Sequence, residues 1–274
     1  MRGVDQKIRE ALREDIGTRD ITSQKVIKRN LNARGTIVAK ANGILCGIDI
    51  VERVFEFSDP NLIVKKRQYD GAEIIPGMVV AVIKGRARSI LRAERVALNF
   101  LQQLSGIATT TRKFVDAVSG TGCVILDTRK THPGLREVEK YAVRVGGGEN
   151  HRMSLDKMIL VKDNHIALAG GIGSVISKLE GESFEIEVKN LEELDLAVRL
   201  RAKRVMLDNF SLREIEEAVK RFKGKVTIEV SGGVNLRNVR EIAETGVDYI
   251  SVGALTHSAQ AIDFSLELEP MERR

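Results

Sequence analysis

Apolar positions repeat with different periods in the two parts of this chain. Val4, Ile8, Leu12 and Ile16 recur every fourth residue and mark one face of an opening helix, with Gly17 as its stop. Short β-rich runs follow at 35–41, 62–69 and 78–83, the last behind a Pro76-Gly77 turn, with helical spacing over 49–57. The stretch 91–104 predicts a helix whose apolar set is Leu91, Val96, Leu98, Phe100, Leu101 and Leu104. Strands broken by glycine and then helices point to a small α+β domain over residues 1–105.

From residue 106 onward the pattern becomes rhythmic. Strand-like runs lie at 124–126, 158–161, 184–188, 205–207, 226–230 and 249–252. Each is followed by a polar or glycine-rich turn and then a helical pattern, at 135–145, 172–179, 191–200, 212–222, 236–244 and from 258 onward. Alternation of this kind means parallel strands covered by helices. A (β/α) barrel over 106–258 is the leading architecture and an open doubly wound sheet the second. No GxGxxG opens a first βα unit, which counts against a dinucleotide-binding version.

Composition narrows the classes. At 274 residues, 43% hydrophobic and 30% charged, the chain is long enough for two domains and too apolar for disorder. No apolar run approaches the ~20 residues of a spanning helix, and the charged N-terminus carries no secretory signal. Cys46 and Cys123 stand far apart, which excludes a disulfide framework and points to a reducing, cytoplasmic compartment. The net charge is +6, but with eight Phe, three Tyr and no Trp there is little on which to stack bases. A pocket for a small polyanion fits better than a nucleic-acid or membrane partner.

In a barrel, function gathers at the C-terminal ends of the strands. Here those ends read Asp127-Thr128-Arg129-Lys130, Lys162-Asp163-Asn164-His165, Glu187-Val188-Lys189, Asp208-Asn209, Ser231-Gly232-Gly233 and Gly253-Ala254-Leu255-Thr256. The window 129–165 holds three of the four histidines. It also holds eight Lys or Arg against five Asp or Glu, half of the chain's net charge. Lys140 and Arg144 in that window read as a solvated helix face; Arg129, Lys130 and Lys162 follow strands and so would surround an anion. Ser231-Gly232-Gly233 and Gly253 each precede a helix, where bare backbone N–H groups hold phosphate. Glu187 and Asp208 end neighbouring strands. They are either ligands for Mg²⁺, which takes few carboxylates plus substrate oxygens, or partners of Lys162 or Lys189 in a salt bridge. Arginine pairs a planar carboxylate bidentately, so a carboxylated co-substrate suits the pocket.

Several blocks are specific beyond spacing. They are Glu14-Asp15-Ile16-Gly17 with Asp20-Ile21-Thr22-Ser23, Glu94-Arg95-Val96-Ala97-Leu98-Asn99-Phe100, and Leu104-Ser105-Gly106-Ile107-Ala108-Thr109. Further on come Asp127-Thr128-Arg129-Lys130-Thr131, Pro133-Gly134-Leu135-Arg136, Gly146-Gly147-Gly148, Asn150-His151-Arg152 and Lys162-Asp163-Asn164-His165. Glu187, Leu207-Asp208-Asn209, Ser231-Gly232-Gly233 and Gly253-Ala254-Leu255-Thr256-His257-Ser258 complete the set. With these blocks the chain resembles, nearly end to end, the quinolinate phosphoribosyltransferase family of NAD biosynthesis. His132, Lys189 and Arg19 depart from the family's usual residues.

The resemblance implies an incomplete (β/α) barrel with an N-terminal α/β sandwich domain, to which the tail 259–274 returns. It implies transfer of phosphoribosyl from 5-phosphoribosyl-1-pyrophosphate (PRPP) to quinolinate with loss of CO₂, giving nicotinate mononucleotide and pyrophosphate, with Mg²⁺. It implies a homodimer with shared active sites. Arg129, His151 and Arg152, with Arg95 from the partner subunit, would hold quinolinate. Thr128, Lys130, Lys162, Ser231, Gly232, Gly233, Gly253 and His257 would meet PRPP. Glu187 and Asp208 would bind metal and ribose, and with Lys130 would make up the catalytic set. A relative acting on another ring acid, or a non-catalytic anion binder, are the competing readings.

Overall fold

In the computed structural model, which describes residues 2–271, helices and strands alternate in an α/β fold. The chain divides into two compact units. One comprises Met1–Thr110, Pro133–Gly146 and Ala259–Arg274; the other comprises Thr111–His132 and Gly147–Ser258.

The first unit opens with α1 (Arg2–Ile16), whose Ile8 and Leu12 are buried as their fourfold spacing requires. Then come α2 (Ile21–Val26), β1 (Asn32–Ala39), β2 (Gly43–Ile44), α3 (Ile48–Ser58), β3 (Ile63–Lys66), β4 (Glu73–Ile74), β5 (Val79–Arg86) and α4 (Ala87–Ala117). Asp20 caps α2 by accepting from the Ser23 N–H at 2.9 Å. α4 runs 31 residues, well beyond the expected 91–104, and the boundary between the units falls within it.

In the second unit β6 (Val124–Leu126) leads the parallel sheet. α5 (Arg136–Val145), expected in the barrel, groups instead with the first unit. Its Tyr141 hydroxyl donates to Asp70 Oδ2 at 2.7 Å, and Glu139 accepts from Gln103 Nε2 at 2.9 Å. On this helix Lys140 is fully buried, against its reading as a solvated cation, whereas Arg144 is exposed.

The sheet continues through β7 (Ile159–Val161), α6 (Asp163–Ala169), α7 (Ile172–Lys178), β8 (Phe184–Val188), α8 (Leu191–Arg199), β9 (Arg204–Asp208), α9 (Leu212–Phe222), β10 (Thr227–Ser231), α10 (Val239–Glu244), β11 (Tyr249–Ser251) and α11 (Ala254–His257). Side-chain caps start two of these helices, Asn190 for α8 and a Ser211/Glu214 capping box for α9. The strand order is β6-β11-β10-β9-β8-β7, all parallel. Successive strands β7 to β11 are neighbours without reversal, and β6 joins the far side of β11. A doubly wound sheet would reverse direction at a switch point, so this is the barrel order. β6 and β7 do not pair with each other, which leaves the barrel incomplete.

The segment from 258 onward, expected as a helix, is instead β12 (Phe264–Pro270), antiparallel to β1 in a sheet of order β12-β1-β5-β3. The tail crosses α4 at Gly106, where a Cβ would stand 2.2 Å from the Gln260 carbonyl oxygen.

Candidate active site

Register places the chemistry in rows. On β8, β9 and β10, Glu187 aligns with Met206 and Glu229, and Asp208 aligns with Ser231 one step higher. Side chains two apart share a face, so Glu185 and Glu187, Arg204, Met206 and Asp208, and Glu229 and Ser231 form rungs on one side of the sheet. The upper rungs open into a cavity of about 430 Å³. Its walls include the cations Arg129, Lys130, Arg152 and Lys162 with Thr128 and His151, and also Glu187, Asp208, Ser231, Gly232 and Gly233.

Local structure fixes several of these groups. Lys130 donates its backbone N–H to Thr128 Oγ1 at 3.0 Å, and the Thr256 hydroxyl donates to the Lys130 carbonyl at 2.7 Å. Gly253 and His257 are not in the cavity wall; they stand behind Lys130. A Cβ on Gly253 would lie 3.1 Å from Lys130 Cδ and 3.2 Å from His257 Nε2. Asn209, in the left-handed region at φ 58°, donates its N–H to the Ser231 carbonyl at 2.9 Å and its amide to Asp208 Oδ2 at 2.8 Å. Gly232, at φ 92°, lies against it: a Cβ would fall 2.3 Å from Asn209 Oδ1. His165, grouped with the pocket histidines by its sequence position, instead accepts the Lys162 backbone N–H at 2.9 Å and closes the start of α6.

The Asn150-His151-Arg152 segment is pinned by Asp127, which is fully buried. Asp127 accepts from Asn150 Nδ2 at 2.6 Å and from the His151 N–H at 2.9 Å. Arg152 Nη1 donates to the Met158 carbonyl at 2.9 Å, while its Nε is buried without an acceptor. Burial and then the like charge of Arg129 hold the Arg152 guanidinium below its ordinary value. Two neighbouring guanidiniums in one cavity make it a favourable place for an anion.

Glu187 is buried and ion-paired with Lys162, and Lys189 pairs instead with Asp163 at 3.2 Å. Of the sequence alternatives, the Lys162 bridge is therefore made. The pair stands at the cavity wall, so it remains compatible with a ligand-borne cation. Arg95 is exposed on α4 and is not part of this cavity.

Beneath the mouth lies a group the sequence reading missed. Glu185 and Glu229 are fully buried on β8 and β10, and Arg204 on β9 bridges them, with Nε 3.3 Å from Glu185 Oε1 and Nη2 on Glu229 Oε2. Arg204 also lies over the Tyr249 ring, 4.6 Å from its centroid, and the Ser251 hydroxyl donates to Glu229. His151 Nε2 faces Glu185 Oε2 at 3.2 Å and Glu229 Oε1 at 3.6 Å. Burial works to raise the Glu185 carboxyl, but His151 and Arg204 outweigh it and hold it low; burial and the charge of Glu185 push Glu229 up. The available signal was an ionisable residue in the middle of an otherwise apolar strand.

A parallel barrel whose mouth carries converging cations, a glycine turn and two carboxylates is an arrangement suited to phosphorylated ligands. Residues 20–105 match the family model of the quinolinate phosphoribosyl transferase N-terminal domain, and residues 107–267 match that of its C-terminal domain. The chain is 41% identical over 271 residues to the nicotinate-nucleotide pyrophosphorylase (carboxylating) of Mycobacterium leprae, covering 95% of each. It is 40% identical over 283 residues to the mitochondrial quinolinate phosphoribosyltransferase (decarboxylating) 2b of Nicotiana tabacum, covering 94% of this chain and 80% of that one. The nicotinate-nucleotide pyrophosphorylase structure from Francisella tularensis superposes with a TM-score of 0.93 at 43% identity, covering 98% of this chain and 96% of that one. The chain belongs to the quinolinate phosphoribosyltransferase family.

Proposed function

We infer that the cation-lined mouth of the barrel unit is where the family's reaction takes place: phosphoribosyl transfer from PRPP to quinolinate, with decarboxylation, to nicotinate mononucleotide, pyrophosphate and CO₂. The reaction comes with family membership; its assignment to these residues rests on the adjacent Arg129 and Arg152 in one cavity, with the Arg152 Nε buried and lacking an acceptor. In this reading Arg129 and Arg152 take the carboxylates of the ring acid. Lys130, Lys162 and the Ser231-Gly232-Gly233 turn take phosphate oxygens, with Thr128 beside Lys130 in the wall and Gly253 and His257 packed near the Lys130 side chain.

Mg²⁺ fits Glu187 and Asp208, because two carboxylates beside a phosphate-binding turn match its preference for few protein ligands and several substrate oxygens. Bound there, it would offset charge on the departing pyrophosphate. The His151, Glu185 and Glu229 cluster, where ligand atoms converge within 4.8 Å, already holds the Arg204 guanidinium between its carboxylates and suits a metal poorly.

Catalysis is then positioning and electrostatics. The arginines hold the pyridine ring so that its nitrogen meets the ribose carbon as pyrophosphate leaves, and the carboxylates face the positive charge that develops on the ribose. A cytoplasmic homodimer in which Arg95 of one subunit completes the other subunit's site belongs to the same proposal. Among the described residues, no helix is long and apolar enough to cross a membrane.

The test is a mass-spectrometric assay for nicotinate mononucleotide from quinolinate, PRPP and Mg²⁺, with nicotinate as rival acceptor. Product from quinolinate only is expected. Equal turnover of nicotinate would instead favour a relative acting on a monoacid.

A further inference from the structure

His151 reaches the cavity wall, with one ring nitrogen hydrogen-bonded to the backbone and the other facing two buried carboxylates at ion-pair distance. Nδ1 accepts the backbone N–H of Arg152 at 2.7 Å. An accepting Nδ1 places the ring proton on Nε2, the nitrogen that faces Glu185 Oε2 at 3.2 Å and Glu229 Oε1 at 3.6 Å.

What His151 does control is the residue after it. Arg152 is pushed by the like charge of Arg129, and its side chain is tied to the protein through Nη1 on the Met158 carbonyl. A fixed imidazole holding the Arg152 N–H resists that push. The imidazole is fixed in turn by two carboxylates that cannot swing. Both are fully buried, Arg204 bridges them from the strand between, and the Ser251 hydroxyl holds Glu229 from β11. One guanidinium against two carboxylates leaves negative charge in a dry layer, and the His151 Nε2–H points into it.

We propose that Arg204, Glu185 and Glu229 form a positioning relay that, through His151, aims Arg152 at the ring acid, so that quinolinate recognition is set in part by residues outside the cavity wall. This rests on the site assignment above. The effect should fall on the ring acid, because Arg152 is the residue positioned while the lysines and the glycine turn are assigned to PRPP.

The test uses near-isosteric variants of the full chain: Glu229→Gln, Glu185→Gln, and the milder Ser251→Ala in case the glutamine variants fail to fold. Steady-state kinetics are run with each substrate varied in turn. Supporting groups of this kind shift affinity by about tenfold or more, so KM for quinolinate should rise about tenfold in the glutamine variants, and by less in Ser251→Ala. KM for PRPP should stay within about twofold. Arg152→Ala should raise KM for quinolinate further, and adding Glu229→Gln to it should have little additional effect, because both act through one guanidinium. Independent, multiplying effects in the double variant would overturn the relay, as would equal rises in both KM values. If Arg152→Ala itself leaves KM for quinolinate unchanged, the site assignment fails as well, a result distinct from failure of the relay alone.

Discussion

Glu185 and Glu187 stand two residues apart on β8 and point the same way, yet their surroundings are opposite. Glu185 is sealed in a layer with Glu229, Arg204 and His151, every partner supplied by the barrel interior. Glu187 is paired with Lys162, whose side chain is 43% exposed and free to exchange one anion for another. The inner pair can only hold; the outer carboxylates, Glu187 and Asp208, can let go and take up charge arriving with a substrate. One strand thus carries a rigid rung and a responsive rung, and a single step of strand register separates architecture from chemistry.

The sharpest way to break this contrast is to remove the bridge in the inner layer. Arg204→Ala leaves two buried carboxylates without their guanidinium and should destabilise the fold by about 3–5 kcal/mol, read from denaturant unfolding. Glu187→Ala should leave unfolding nearly unchanged, because the Lys162 left behind is accessible to water. Next in size, Glu187→Ala and Asp208→Ala should each lower kcat by about 10²–10³-fold while quinolinate binding measured by calorimetry survives. Loss of that binding with kcat intact would mean that the two rungs had exchanged roles.

The outer layer is also where a second subunit would contribute. Arg95→Ala and Lys130→Ala should each be nearly inactive, yet refolding them together should restore about a quarter of the sites, since each mixed two-fold dimer has one intact site. No recovery when mixed dimers form would confine Arg95 to its own chain. The smallest effect is expected at Gly253→Ala. Its φ of −65° suits alanine, and the new Cβ meets only the flexible Lys130 side chain and His257. KM for PRPP should rise about fivefold at most, about 1 kcal/mol, with KM for quinolinate unmoved.

The barrel strands were legible in the chain to within a residue or two, because parallel strands buried on both faces read as short apolar runs. The strand ends followed, and with them Arg129, Lys130, Lys162, Glu187, Asp208 and Ser231-Gly232-Gly233 in one cavity. Helix α4 was cut short because Thr109, Thr110, Thr111, Arg112 and Lys113 interrupt its apolar stripe, although buried Phe114 resumes it a turn later. The tail was misread because Phe264, Leu266 and Leu268 alternate with period two only against a partner far away in sequence. Glu185 and Glu229 were visible as residues but not as a pair: Arg204, opposite Glu185 and two residues before the Met206 that faces Glu229, joins them through its side chain, and a single chain does not spell register.

The pairing of β12 with β1 bears on how the protein is made. Its ladder runs from Ala33 with Pro270 to Ala39 with Phe264, partners more than two hundred residues apart. On the ribosome, β1 and β5 emerge early, and one edge of their sheet stays open while the whole barrel is being synthesised. Only when the tail has crossed α4 at Gly106 can that edge close. Strands β7 to β11 are each made within a few dozen residues of their neighbours, and β6 waits for β11, which still precedes the tail, so the barrel can fold while that edge waits. Nascent chains stalled before residue 264 should therefore hold an ordered barrel beside an unfinished sheet that chaperones can bind, and synthesis of the final strand becomes the committing step of maturation.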